Sequence, residues 1–206
     1  MQVLKGLVLL CLAITAGCTT LSEDECLTAD WHAIGYEDGA KGERSTQMGS
    51  HREACAKYGV TPEFREYKKG HAEGLTVFCT GSNGYSRALN GYHYSGVCPG
   101  SLEADFLDGY TAGRRIYAAA SEVSAIESRQ QSNENEQMRI IDQLREKEAA
   151  LFDATKPEDQ RRAIYQRISE LKERQGYLTR EYYGLIRDQS VAQGRLDALR
   201  NQSSYF

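Results

Sequence analysis

The stretch FLDGYTAGRR, Phe106–Arg115, has the composition of a helix but carries two glycines, Gly109 and Gly113, four residues apart. Glycine in a helix interior is about 1 kcal/mol less favourable than alanine. Residues four apart lie on one helix face, so the pair presents a flat strip without side chains. Another backbone can approach such a strip closely, with Phe106 on a neighbouring face. The stretch therefore predicts a helix that packs through its glycines.

Two other segments of the first half repeat this spacing of an aromatic residue and two glycines. They are YKKGHAEGL, with Tyr67, Gly70 and Gly74, and YEDGAKG, with Tyr36, Gly39 and Gly42 at a shorter spacing. Residues 81–100, GSNGYSRALNGYHYSGVCPG, carry Gly, Asn or Ser every few positions, which favours loops around Tyr85, Tyr92 and Tyr94. We predict a head domain of short helices and loops over residues 18–120, packed through glycine strips.

The second half, residues 121–206, is rich in Glu, Gln, Arg, Leu and Ala. Apolar residues recur in alternating steps of four and three from Ile164 to Leu199, and less regularly from Val123 to Leu151, as in a coiled coil. The polar residues at these positions that would help to set the register or the partner are Gln130, Asn133, Gln175 and Gln189. The pattern predicts two long antiparallel helices, and the whole chain is expected to be mainly α.

The turn of this hairpin is expected in DATKPEDQ, near Ala154–Pro157. Thr155 followed by Glu158 matches a capping box, and Pro157 suits the first turn of a helix. The outer faces of the hairpin either are merely solvated, or dock on another protein or on a second copy of the chain.

The first residues, MQVLKGLVLLCLAITAGC, have the form of a secretory signal: an early lysine, a short apolar run and small residues before a cysteine. Thr15–Cys18 resembles the lipobox of bacterial lipoproteins. By that resemblance, residues 1–17 are a signal peptide that is removed. Cys18 then carries the lipid (palmitate among its acyl chains), and Thr at position 19 favours the outer membrane. An ordinary signal peptide cleaved nearby, with Cys18 free, is the alternative.

The formal net charge is −4 and the chain has no cluster of basic residues, so it lacks the positive surface that binding of nucleic acid requires. Four cysteines remain after residue 18, an even number that predicts two disulfides in an exported protein; they are Cys26, Cys55, Cys79 and Cys98. Three connectivities are possible. Sequential pairing is favoured because it needs only local loop closure.

Four histidines in the same half raise zinc as an alternative, but no closely spaced Cys or His pair of the structural-zinc type is present. The neighbouring carboxylates of Glu37 and Asp38 would point apart on most backbones. A polar site could form only if the fold gathers distant side chains, namely His51, His71, His93, Glu53, Glu73 and Asp105. We therefore predict no catalytic residue, no metal ligand and no cofactor.

The order of Cys, Trp and Gly-Tyr elements over residues 18–117 resembles a group of Gram-negative outer-membrane lipoproteins catalogued only as a domain of unknown function. The elements are Cys26, Trp31, Gly35–Gly39, Cys55, Tyr67–Leu75, Cys79, Gly84–Tyr85, Tyr94–Pro99 and Phe106–Arg114. The resemblance implies an exported lipoprotein and supplies no activity or site residues.

Two functions are compatible with the sequence. In the first, the protein is a structural or interaction lipoprotein of the outer membrane, facing the periplasm, whose hairpin binds a protein partner. In the second, the head binds glycan or peptidoglycan by stacking exposed rings of Tyr85, Tyr92 and Tyr94 on sugars.

Overall fold

The computed structural model describes residues 21–205, and within this part of the chain all regular secondary structure is helical. The mainly α class is thus confirmed. The leader over residues 1–17 and the lipidation at Cys18 lie outside the described residues. The helices are α1 (Glu23–Leu27), α2 (Trp31–Lys41), α3 (Gln47–Ala56), α4 (Phe64–Phe78), α5 (Gly81–Leu89), α6 (Gly100–Leu151) and α7 (Glu158–Gln202).

The chain forms two compact units. The first unit consists of the described residues up to Thr80 together with Ser95–Glu103, and the second of Gly81–Tyr94 and the described residues from Ala104 on. The predicted domain boundary at residue 120 falls inside α6, since this helix runs unbroken for 52 residues. That boundary stays a prediction.

In the first unit, α2 and α4 cross backbone to backbone through two glycines from each helix. A Cβ on Gly39 would lie 3.0 Å from the carbonyl carbon of His71, and one on Gly74 would lie 2.6 Å from the amide nitrogen of Ala40. Gly35 and Gly70 are equally closely packed. The strips predicted from the glycine spacing therefore meet each other.

The glycine pair on α2 differs from the predicted one. Gly35 and Gly39, four residues apart, form the strip, whereas Gly42 ends the helix in the left-handed region, with φ of 78°. Gly42 therefore ends the helix and does not extend the strip. A left-handed residue after the last turn lets backbone N–H groups bond to carbonyls that the helix leaves free.

Two disulfides close the first unit, Cys26–Cys55 and Cys79–Cys98. The predicted disulfides and their sequential pairing are confirmed. Cys26, Cys55, Trp31, Met48 and Tyr67 form the apolar core of this unit.

In the second unit, α5 packs on the beginning of α6 by the same glycine contact. A Cβ on Gly113 would lie 2.5 Å from the carbonyl oxygen of Tyr85, and Gly84 and Gly109 are similarly occluded. The prediction of loops over residues 81–89 is wrong: Gly, Ser and Asn weaken this helix locally, but packing against α6 stabilises it. The segment Phe106–Arg115 is helical as predicted, as the first part of α6 rather than a separate short helix.

Helices α6 and α7 form the predicted antiparallel pair, with the predicted apolar stripes turned toward each other. The buried seam residues are Val123, Ile126, Asn133, Ile140, Leu144, Ile168, Leu171, Leu178, Leu185, Ala192 and Leu196. The Asn133 amide donates to the carbonyl oxygen of Leu178 at 3.1 Å, and Gln130 donates to Gln189 at 3.2 Å. Both polar pairs are matched in this alignment, as expected of residues that help to set the register.

The turn spans residues 152–157, close to where the sequence predicts it. The predicted capping box is wrong: Pro157 is the N-cap and no side chain caps α7. The Thr155 hydroxyl instead donates to Asp153 at 2.6 Å, so it is engaged in the turn itself.

Candidate functional site

A buried polar cluster joins three helices of the first unit. Asp38 of α2 accepts a hydrogen bond from the Tyr67 hydroxyl of α4 at 2.8 Å through its Oδ2 atom. The same oxygen lies 2.8 Å from Nε2 of His51 on α3. All three side chains are buried. A single carboxylate oxygen therefore connects α2, α3 and α4.

The glycine crossing explains why these side chains meet. Asp38 precedes Gly39 on α2, and Tyr67 lies one turn before Gly70 on α4, so both are carried into the region where the two backbones are closest. His71 follows one turn later, and its Nε2 lies 2.8 Å from the carbonyl oxygen of Glu43. The rings of Tyr67 and His71 stack with centroids 5.9 Å apart.

Burial, and then the hydrogen bond to Asp38, raise the pKa of Tyr67 far above its ordinary value. Tyr67 therefore remains a neutral hydrogen-bond donor at physiological pH. An ionised Asp38 can only accept, so Nε2 of His51 carries the hydrogen that faces it.

A cleft of about 520 Å³ lies beside this cluster. Its wall includes the carboxylates of Glu25, Glu37, Asp38 and Glu43, with Lys41 as the one cation among the lining side chains described. Glu37 points outward and contacts Lys41 at 3.3 Å, whereas Asp38 points inward. The two neighbouring carboxylates thus diverge, as expected for adjacent residues of a helix.

Two of the other residues singled out from the sequence have separate partners, whereas Glu53 and His93 are exposed. Glu73 lies 3.2 Å from His32, and Asp105 accepts from the Gly81 amide in the second unit at 2.9 Å. Between residues 21 and 205, no three His, Cys, Asp or Glu side chains come together as ligands for a metal ion. No described helix has the length and apolar character needed to cross a membrane.

The three tyrosines predicted to stack on a ligand are engaged within the second unit. Tyr85 is only 5% exposed and stacks on Tyr205, with centroids 5.3 Å apart. Tyr94 is half-buried and packs on Phe106 at 4.7 Å. The guanidinium of Arg87 lies over the half-buried ring of Tyr92. The expectation of three exposed rings is wrong for Tyr85, because α5 turns this ring into the core shared with Ile116 and Leu185.

Exposed aromatic and apolar side chains occur instead on α7, outside its buried seam. Tyr177 is 51% exposed, Tyr183 is 68% exposed and Val191 is 61% exposed. A shallow groove of about 450 Å³ runs beside Val191, between α6 and α7.

Sequence reasoning named Asp38 and His51 separately and missed their connection through Tyr67. The available signal was the placement of Asp38 and Tyr67 beside the glycine strips, where one helix contacts another. No feature of the sequence indicated that His51 lies near Asp38, since α3 has no glycine strip that would mark a helix contact.

No curated protein and no solved structure matches the chain significantly. A family model does match over residues 30–115, which comprise α2 to α5 and the beginning of α6. This region includes both glycine crossings, the Cys79–Cys98 disulfide and the Asp38–His51–Tyr67 cluster. Residues 30–115 are thus similar to the family DUF2799, which is described as a protein of unknown function.

Proposed function

We propose that the protein is an exported lipoprotein of the structural or interaction type, held at the periplasmic face of the outer membrane by a lipid on Cys18. In this proposal, the hairpin of α6 and α7 binds a protein partner. The anchor is inferred from the leader sequence and the small residues before Cys18.

The observation that carries the partner-binding part is the exposed surface of α7 around Tyr177, Tyr183 and Val191. Aromatic residues and arginine are enriched in protein interfaces, whereas a helix face that meets only water carries mainly charged and small polar residues. Earlier in α7, the register positions that correspond to Tyr183 and Tyr177 carry Arg162 and Glu170, both exposed. These positions therefore change from charged to aromatic residues along one continuous helix.

The glycan-binding alternative has weaker support. Stacking on a sugar needs an accessible aromatic face, and the rings of Tyr85 and Tyr94 pack against other rings of the same unit. We therefore place the binding surface on the hairpin.

The test is photocrosslinking in cells with a photoreactive amino acid at Tyr183 of the full chain. Arg162, exposed on the same side of α7 about 30 Å away, is the matched control position. We expect a discrete adduct from position 183 and much less from position 162. Equal labelling from both positions, or none from position 183, would contradict the proposal.

A further inference from the structure

The outer surface of α7 between residues 173 and 187 lies opposite the seam. Its members recur in the seven-residue register that places Leu178 and Leu185 in the seam. We call this surface the outer α7 face and define it by Glu173, Gly176, Tyr177, Arg180, Tyr183, Gly184 and Arg187. All of these side chains are exposed, apart from the two glycines, which are partly covered.

The charged residues of this face have no ion-pair partner in the described part of the chain. Arg174, Arg129 and Arg195, which flank the seam, pair with carboxylates of the opposite helix. Glu173, Arg180 and Arg187 form no such pair among residues 21–205. The charged residues beside the seam thus pair with each other, and those of the outer α7 face can pair with another molecule.

The order of charges makes the outer α7 face complementary to the same face of a second chain that runs in the opposite direction. Glu173 and Arg187 lie seven residues on either side of Arg180. Two antiparallel copies centred on Arg180 place Glu173 of each copy opposite Arg187 of the other. A parallel pairing would instead place each charge opposite its own like.

The uncharged residues fit the same reversed alignment. Gly176 and Gly184 are equidistant from Arg180, as are Tyr177 and Tyr183. At about 100° per residue, Gly176 and Tyr183 lie on one side of Arg180 and the other two on the opposite side, so in the reversed alignment each tyrosine ring lies over a glycine of the other copy. The space beyond both glycines is open, with only the Arg180 and Arg187 guanidinium groups 3.6 Å and 4.0 Å from an added Cβ. Each Arg180 then lies between two tyrosine rings of the other copy, and these cation–π contacts offset the repulsion between the two arginines.

We infer that the occupant of the outer α7 face is a second copy of this chain, bound antiparallel about a two-fold axis at Arg180. This inference rests on the proposed function and names its partner. The closed two-fold arrangement uses the same patch on both copies and stops at a dimer. The contact extends for about 20 Å along each helix and is small, so the dimer is reversible and depends on concentration.

Cysteine crosslinking tests the axis directly, because only a residue on the axis faces its own copy. Arg180→Cys in the full chain should form a disulfide-linked dimer under mild oxidation. Gln166→Cys, exposed on the same side, should not, since the two copies of residue 166 lie about 40 Å apart. A mixture of Glu173→Cys and Arg187→Cys chains should give mainly the mixed dimer, because these positions face each other in the reversed alignment and lie within the contact.

Charge reversal provides a second measurement that does not depend on added cysteines. Glu173→Arg or Arg187→Glu should weaken the dimer about tenfold in analytical ultracentrifugation, because each affects two symmetric pairs. The double variant should regain dimerisation. These side chains lie outside the seam, so the helical circular dichroism of all three variants should equal that of the wild type.

The outcomes separate this inference from the proposed function. A wild-type chain that stays monomeric at all concentrations, together with an Arg180→Cys variant that forms no disulfide-linked dimer, overturns the dimer. If position 183 still crosslinks to a different protein, partner binding by the hairpin stands and only the identity of the partner is wrong. If position 183 forms no adduct either, both are wrong.

Discussion

Gly70→Ala adds one methyl group at the crossing of α2 and α4, where the structure leaves no space for it. The new Cβ would lie 2.8 Å from the carbonyl carbon of His32 and 2.9 Å from the amide nitrogen of Tyr36. Both obstacles are backbone atoms of a helix, which cannot rotate away as a side chain can. The two helices must therefore separate.

The required separation is close to 1 Å, since carbon atoms approach to about 3.5 Å at their closest favourable distance. Overpacking of this kind costs about 1–3 kcal/mol, and a gap of 0.5–1 Å forfeits roughly a quarter to a half of each dispersion contact along the crossing. Alanine returns about 1 kcal/mol of helix propensity. The lost dispersion contacts offset this return, so we expect the free energy of unfolding of the first unit to fall by about 1–3 kcal/mol.

The assay is urea unfolding with both disulfides intact, followed by the fluorescence of Trp31, the only tryptophan of the chain, which is buried at the start of α2. Gly49→Ala is the control in the same unit, because nothing lies within 4 Å of its added Cβ. It should leave stability unchanged or raise it by up to about 1 kcal/mol. If Gly70→Ala shifted the transition in the same direction as Gly49→Ala, the glycine crossing would not be what holds these helices together.

Four further substitutions probe other parts of the chain. Tyr67→Phe removes a hydrogen bond to a buried carboxylate and should destabilise the first unit by about 1–3 kcal/mol, measured by urea unfolding with Trp fluorescence. Tyr165→Phe, at an exposed position, should leave the stability unchanged. Equal effects of the two substitutions would argue against a stabilising role of the cluster. Asn133→Asp buries a carboxylate beside a backbone carbonyl, so its pKa in the folded state should rise. The resulting destabilisation of about 3 kcal/mol at pH 7 should disappear as the pH falls below the pKa of the unfolded state, followed by circular dichroism; a loss independent of pH would refute this reasoning. The hydrogen bond to Asp108 raises the pKa of Tyr205 from 10 to about 12. The stabilisation that this hydrogen bond gives is therefore present below about pH 10 and is lost as the pH rises through about 12. Tyr205→Phe should remove one late-titrating phenol from the ultraviolet titration, and an unchanged titration curve would contradict this. Cys18→Ser should release the protein from the membrane fraction and abolish the acyl mass in mass spectrometry, and unchanged membrane attachment would exclude the lipid anchor.

The hairpin shows which features of the fold were accessible from sequence. Its seam follows from apolar residues at alternating steps of four and three, and the structure buries Leu171, Leu178 and Leu185 as that pattern predicts. Segment 81–89 shows the opposite case. Its glycines, serines and asparagine weaken a helix locally, yet the contact of Gly84 and Ala88 with α6 outweighs this preference. Propensity failed where tertiary packing contributed more free energy than local structure.

The helical class, the two long arms and the presence of two disulfides were determined by the sequence alone, because periodicity and cysteine number can be read without the fold. Sequential pairing was favoured by loop length, but the structure decided among the three connectivities. The tertiary structure alone decided that Gly35, rather than Gly42, completes the strip on α2. It also decided that Asp38 meets His51 and Tyr67, 13 and 29 residues along the chain. Such contacts depend on the angle and distance at which helices cross, and these are set by backbone approach in three dimensions rather than by the pattern of any one segment.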